Sequence, residues 1–400
     1  MKKLNQEQLF DFLSNNGIEN FIGVPDSTLK HFIEQGLKKK KILIAGASGL
    51  VGYAAVEHFT QQEDWDVVGV SRRIPTGLEG AEIISVDLTD KARCTEVFGH
   101  MSDVTHVIYA ALYEKPGLVE GWFQKDQMET NLAMLDNLFS PLEAVAKDLR
   151  HVSLLQGTKA YGVHIEPFPV PARERWPRHQ HENFYWLQED YLRERQPGRN
   201  WHWTVWRPQL ILGQSLGSHM NVIPAIGVYA ALRKEAGLPL SFPGGPPTVF
   251  EAIDAGLIAR ACEWAGTTET AQNEIFNMTN GDVFVWQNIW PAIADSLGME
   301  VGPPEQLSLA EEMPKQEAEW AAIVKKYDLR APTSLKEFVG QSFILADFAF
   351  GFGIRDATAS PILVSTIKLR RAGFHECMDT EDNFQACFKQ FQDARLLPQI

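Results

Sequence analysis

The chain has 400 residues and a formal net charge of -14 at pH 7, long enough for a large core and two or three domains. The acidic balance excludes a nucleic-acid or anionic-membrane surface, which needs a basic field to release counterions. Four cysteines, Cys94, Cys262, Cys377 and Cys387, lie far apart without a CxxC pair; this excludes a disulfide framework or a zinc site and fits a reducing compartment.

Residues 1–40 read as an N-terminal extension. Leu9, Phe10, Phe12 and Leu13 predict a short amphipathic helix that stops at Asn15-Asn16-Gly17, and the run Lys38 to Lys41 reads as a solvated junction. The opening MKKLNQEQLFDF carries charge where a signal peptide needs an apolar core. The longest apolar stretches, 221–232 and 342–354, are too short or are interrupted by Asp347, so a soluble cytoplasmic protein is expected. GIENFIGVPDSTLK, residues 17–30, resembles the start of the thiamine-diphosphate-dependent phosphonopyruvate and sulfopyruvate decarboxylases. Neither of the two cofactor domains of those enzymes follows, and the stretch reads as a leader.

KILIAGASGLVG, residues 41–52, runs from an apolar strand into a turn with Gly46, Gly49 and Gly52 and then into a helix. The glycines allow a sharp reversal, close approach of a ligand pyrophosphate and tight packing of the helix on its sheet. The free amides of the new helix suit a phosphate. Ser48 is expected to bond phosphate, with Leu50 beside it. Short apolar or β-branched runs then recur at 66–70, 81–86, 105–109, 151–155 and 201–206, separated by helical segments. Such alternation predicts an α/β fold: a Rossmann-type doubly wound parallel sheet, with ligands at the strands' carboxyl ends. A nucleotide-binding domain is expected over 41–215. From 216 to 400, helical patterns at 222–235, 251–264, 285–297 and 309–327 predict a mostly helical substrate-binding part, intertwined with the first.

The second strand ends in Ser71-Arg72-Arg73, where an NAD site usually carries Asp or Glu for the ribose hydroxyls. Two guanidinium groups match a 2′-phosphate and predict NADPH. Asp87-Leu88 after the third strand suits the adenine edge, and Ala110 follows the fourth. The usual acid of a short-chain dehydrogenase is the Tyr of a Tyr-x-x-x-Lys pair, yet none of the eight tyrosines has Lys four residues on. Either the protein is no reductase of that kind, or its Tyr and Lys meet by folding. Lys159, in GTKAYG after the fifth strand, and Tyr185, opening the next helix, are the candidates. His179-Gln180-His181-Glu182 reads as a polar loop, and no metal is expected.

GASGLVG, SRR, GTKAYG, NFYWLQEDYL, Trp206-Arg207-Pro208, SHMNVIPAIGVYAALRKEAGLPLSFPGG, NEIFNMTNGDVFVW and GFHECMDTEDNF together resemble the progesterone 5β-reductase and iridoid synthase-like group of short-chain dehydrogenases, over about residues 41 to 400. The resemblance implies NADPH-dependent 1,4-reduction of an activated C=C bond in a small apolar enone or enal. It implies Tyr185 as donor to the carbonyl oxygen, Lys159 as the residue that positions or polarises the site, and Ser218 and Met220 near the cofactor. The loop 163–182 departs from the plant form, and the aromatic stretch near Phe343 to Phe350 aligns poorly, so a bacterial-type member is expected and steroid selectivity is not carried over. Two other readings stay open: an NAD-dependent epimerase or dehydratase of nucleotide sugars, and a non-catalytic NADP sensor. A homodimer is likewise left open.

Overall fold

The computed structural model describes residues 9, 12–14, 40–115, 120–217, 220–353 and 361–399. Most of the expected extension 1–40 therefore lies outside the described residues, although Leu9 and residues 12–14 are helical. Seven parallel strands form one sheet: β1 (Lys40–Ala45), β2 (Trp65–Ser71), β3 (Glu82–Ser85), β4 (His106–Tyr109), β5 (His151–Leu155), β6 (His202–Pro208) and, far along the chain, β10 (Glu274–Met278). Their spatial order is β10-β6-β5-β4-β1-β2-β3. Order reverses between β1 and β4, which pair from Ile42 against His106 to Ala45 against Tyr109. That reversal leaves a crevice beyond the strands' carboxyl ends.

The inner strands β1, β4, β5 and β6 are largely buried on both faces, which is why they read as continuous apolar runs, whereas the edge strand β3 exposes Glu82 and Ser85. Helices α1 (Leu50–Thr60) and α6 (Ala255–Thr267) cover one face, where Val51, Val56, Leu257 and Ile258 meet Ile42 and Ile44. On the other face α2 (Lys91–Phe98), α3 (Lys125–Val145) and Leu192 of α4 (Phe184–Arg195) bury Phe98, Leu135 and Leu138 against Leu43 and Val107. A separate core joins α5 (Val222–Glu235), α7 (Trp286–Ser296), α9 (Glu317–Lys326), α11 (Ser342–Ala349) and α13 (Thr380–Asp393).

The helix expected at 251–264 begins later. Its first residues form β9 (Ala252–Asp254), parallel to β7 (Leu210–Leu212), and Asp254 then caps α6 by accepting from Leu257 N at 2.7 Å. The helix expected at 309–327 divides into α8 (Leu309–Glu312), a 3-10 turn (Met313–Gln316) and α9, because Pro314 has no N–H to continue the ladder. The remaining elements are a short antiparallel pair of β8 (Val249–Phe250) with β11 (Phe284–Val285), α10 (Leu335–Val339) and α12 (Ile367–Ala372). Strand β10 escapes the sequence pattern, since Asn277 interrupts its apolar run. The Asn277 amide is fully buried; it accepts from Tyr161 Oη at 2.6 Å and donates to Ala172 O.

Helix α4 is fixed from below by charge. Glu189, 2% exposed, takes Arg207 at 3.2 Å and Arg178 and Arg193 at 3.0 Å. Arg207 also donates to Gln156 Oε1, and Gln156 donates to Tyr185 O, each at 3.1 Å. A Glu189→Leu variant strands the Arg207 guanidinium in the interior, with an expected loss of about 3–5 kcal/mol. Urea unfolding measures it as a lowered midpoint at an unchanged m value.

Candidate active site

The carboxyl edge of the sheet opens into a cavity of about 910 Å³. At its floor the Gly turn leaves β1. Gly46 has φ +88, and a Cβ there would lie 2.7 Å from Ala110 O, so the loops after β1 and β4 meet backbone to backbone. Gly46, Ser48, Gly49 and Leu50 line the cavity. Gly49 is the N-cap of α1 and offers no side-chain cap, leaving the helix's first amides and positive dipole end for an anion. Gly52 differs from the other glycines: it lies outside the lining, and a Cβ there would come 2.1 Å from Gly46 O. It acts by letting α1 pack on the turn.

Beyond β2 and β3, Ser71, Arg72, Arg73, Asp87 and Leu88 line the same cavity, as does Ala110 beside Gly46. Ser71 Oγ donates to Arg73 O and so shapes the turn after β2. Arg73 Nη2 donates to Leu216 O at 3.2 Å, tying this turn to the loop that leads to Met220, also in the lining. Ser218 lies outside the described residues. The Asp87 carboxyl sits below its ordinary range, chiefly through the Thr89 backbone amide and also through Arg72.

Lys159 and Tyr185 also line the cavity. Asn183 joins them: its carbonyl accepts from Tyr185 N at 3.0 Å as the cap of α4, and its amide donates to Lys159 O at 3.2 Å. The Tyr185 hydroxyl is pushed above the ordinary phenol range, by burial first and by Glu114 second. Burial lowers Lys159 to about 8, against the opposing pull of Glu114. His164, in the same lining, is lowered to about 4 by burial and then by Lys159, so it is neutral at pH 7.

Three contributors escape sequence reading. Glu114 lies on the loop after β4, with Oε1 3.7 Å from Lys159 Nζ. Trp122, in a 3-10 turn (Glu120–Phe123), presents its ring 3.8 Å from that ammonium. His164 is the third. The available signal for Glu114 was its place: a carboxylate just past a strand's end at the point where sheet order reverses. The outer wall is apolar, with Phe168, Phe250, Ile344, Phe348 and Ile362. Glu251 holds part of it by accepting from Val364 N at 2.8 Å and Gln209 Nε2 at 3.2 Å.

His179 and His181 pair with each other, ring nitrogens 2.9 Å apart, and among the described residues no group of three His, Cys, Asp or Glu could hold a metal ion. No described helix is long and apolar enough to cross a membrane.

A family model described as a PRISE-like Rossmann-fold domain matches residues 42–398. The (S)-8-oxocitronellyl enol synthase of Catharanthus roseus is 32% identical over 381 residues, 90% of this chain and 93% of that protein. The 3-oxo-Delta(4,5)-steroid 5-beta-reductase of Arabidopsis thaliana is 34% identical over 310 residues, 72% of this chain and 78% of that protein. Among solved structures, the UDP-N-acetylglucosamine 4-epimerase of Methanobrevibacter ruminantium M1 matches with a TM-score of 0.60 at 16% identity, covering 89% of this chain and 99% of that one. This last likeness shows the fold alone.

Gly52→Ala forces a Cβ into Gly46 O and must push α1 off the turn. The expected result is a loss of about 1–3 kcal/mol together with weakened dinucleotide binding. Thermal melts with and without nucleotide check both: a variant whose melting temperature still rises on adding nucleotide as much as the parent's does contradicts the expectation.

Proposed function

The chain belongs to the PRISE-like Rossmann-fold family and is a short-chain-dehydrogenase-type oxidoreductase; on that premise we propose that it reduces the activated C=C bond of a small apolar enone or enal with NADPH. The observation that supports this reading most is the convergence of the Gly turn, the Arg72-Arg73 pair, Lys159 and Tyr185 on one cavity. The residues fit the cofactor. Gly46 and Gly52 leave no room for side chains at the turn, the uncapped amides of α1 suit a pyrophosphate, and two guanidinium groups suit a 2′-phosphate.

When bound, NADPH supplies the hydride that adds to the β-carbon of the substrate. Negative charge then accumulates on the carbonyl oxygen, where the Tyr185 hydroxyl is the donor that stabilises it, and the resulting enolate takes a proton at its α-carbon from solvent or a nearby acid to complete the reduction. Its raised pKa keeps the phenol protonated, and therefore a donor, throughout the neutral range. Lys159 adds a positive charge at the same end of the cavity. The wall of Phe168, Phe250, Ile344 and Phe348 takes the substrate's carbon skeleton and excludes water. A nucleotide sugar fits less well: among the described lining residues, the basic groups away from Arg72 and Arg73 are Lys159 and the neutral His164, too few for a second diphosphate.

Oxidation of NADPH and NADH, followed separately against a panel of small enones and enals, tests the reading. Tyr185→Phe is expected to lose about 10²- to 10³-fold in kcat; full turnover in that variant removes Tyr185 from the role. In the Arg72→Glu, Arg73→Glu double variant the preference for NADPH is expected to collapse or invert. If the double variant still prefers NADPH, the two-arginine account fails.

A further inference from the structure

Glu114 is buried to 1% side-chain exposure beside the cationic end of the cavity. Its Oε1 accepts from Trp122 Nε1 at 2.7 Å and faces Lys159 Nζ, while the Trp122 ring covers the same ammonium from another side. Its Oε2 is buried with no hydrogen-bond partner among the described residues. A carboxylate taken out of water and left with one oxygen unsatisfied costs stability. Three elements thus meet on one ammonium: the loop after β4, the 3-10 turn that carries Trp122, and the turn that carries Lys159.

We propose that Glu114 is a positioning residue, which with Trp122 clamps the Lys159 side chain beside Tyr185 and keeps its ammonium charged during reduction. The inference rests on the enone-reductase reading for the use of that charge, but not for the clamp itself. Among the described residues, the titratable groups around Lys159 include Glu114 from the β4 loop, Tyr185 from α4, and His164 and His181 from the segment between Lys159 and α4. His164 and His181 are both held below the usual imidazole range, so Glu114 supplies the negative charge that opposes the desolvation of Lys159. Without it, the raising influence of Glu114 is lost while the desolvation stays, and the ammonium gives up its proton at lower pH.

The test is the pH dependence of Lys159 acylation by acetic anhydride in the intact protein, read by mass spectrometry of the peptide that carries it. The unprotonated amine is the reacting form, so the rate rises as pH passes the Lys159 midpoint. In Glu114→Gln, which keeps an acceptor for Trp122, the midpoint is expected about one pH unit lower than in the parent; in Glu114→Asp it is expected to stay near the parent value. The descending limb of kcat against pH should shift with it, with KM for NADPH unchanged. A merely structural Glu114 would lower the melting temperature and leave the midpoint in place, and that outcome overturns the proposal. Should the parent reduce no enone while the midpoint still moves, the enone reading fails and the clamp stands.

Discussion

The structure depends on how closely α1 can approach the end of β1. Gly52 sits where any Cβ would collide with Gly46 O, and Gly46 sits where any Cβ would collide with the backbone after β4. These two contacts lock three pieces of backbone together at the point where sheet order reverses. They bring the amino end of α1 to the floor of the cavity, and they fix the direction in which the loop after β4 leaves the sheet. Glu114 lies five residues beyond the end of that strand. The two missing side chains at the turn therefore bear on where that loop carries Glu114.

Burial tunes the reactive end in one direction. It raises the Tyr185 phenol and lowers both Lys159 and His164, favouring the uncharged form of each. For a phenol this preserves a hydrogen-bond donor, and for the imidazole it removes a competing cation. For the ammonium it works against the charge the site can use, and Glu114 acts in opposition. Tyr185 is buried in a cluster with Trp122, Phe184 and Trp186, and the Trp122 ring also covers the Lys159 ammonium, so one aromatic cluster encloses both groups.

What could be read from the sequence follows from how local each signal is. The Gly turn, the runs that become six strands, and the start of the Tyr185 helix are written in adjacent residues, and they were legible. Strand β10 was not, because Asn277 within it is polar and its partners Tyr161 and Ala172 lie far away in the chain. The Pro314 break could have been found from the fixed ring alone. Glu114 and Trp122 could not be paired with Lys159 from the chain, since nothing in a loop sequence states which charged groups will be enclosed together. Ser71 and Arg73 were legible as residue types, but Arg73's bond to Leu216 O needs the fold.

The reversed order of Lys159 and Tyr185 explains why so many ties converge on them. A Tyr-x-x-x-Lys pair obtains its geometry from a single helix, where side chains four residues apart share a face. Here the lysine is on a 3-10 turn (Thr158–Tyr161) and the tyrosine opens α4, so no one element sets their relation. Asn183 bonds both backbones, Gln156 holds Tyr185 O and is itself held by Arg207, and Glu189 anchors Arg207 within α4. Each tie removes a freedom that the helical arrangement never has. The Glu114 carboxylate and the Trp122 ring, both against the ammonium, add restraint at the end of the long Lys159 side chain.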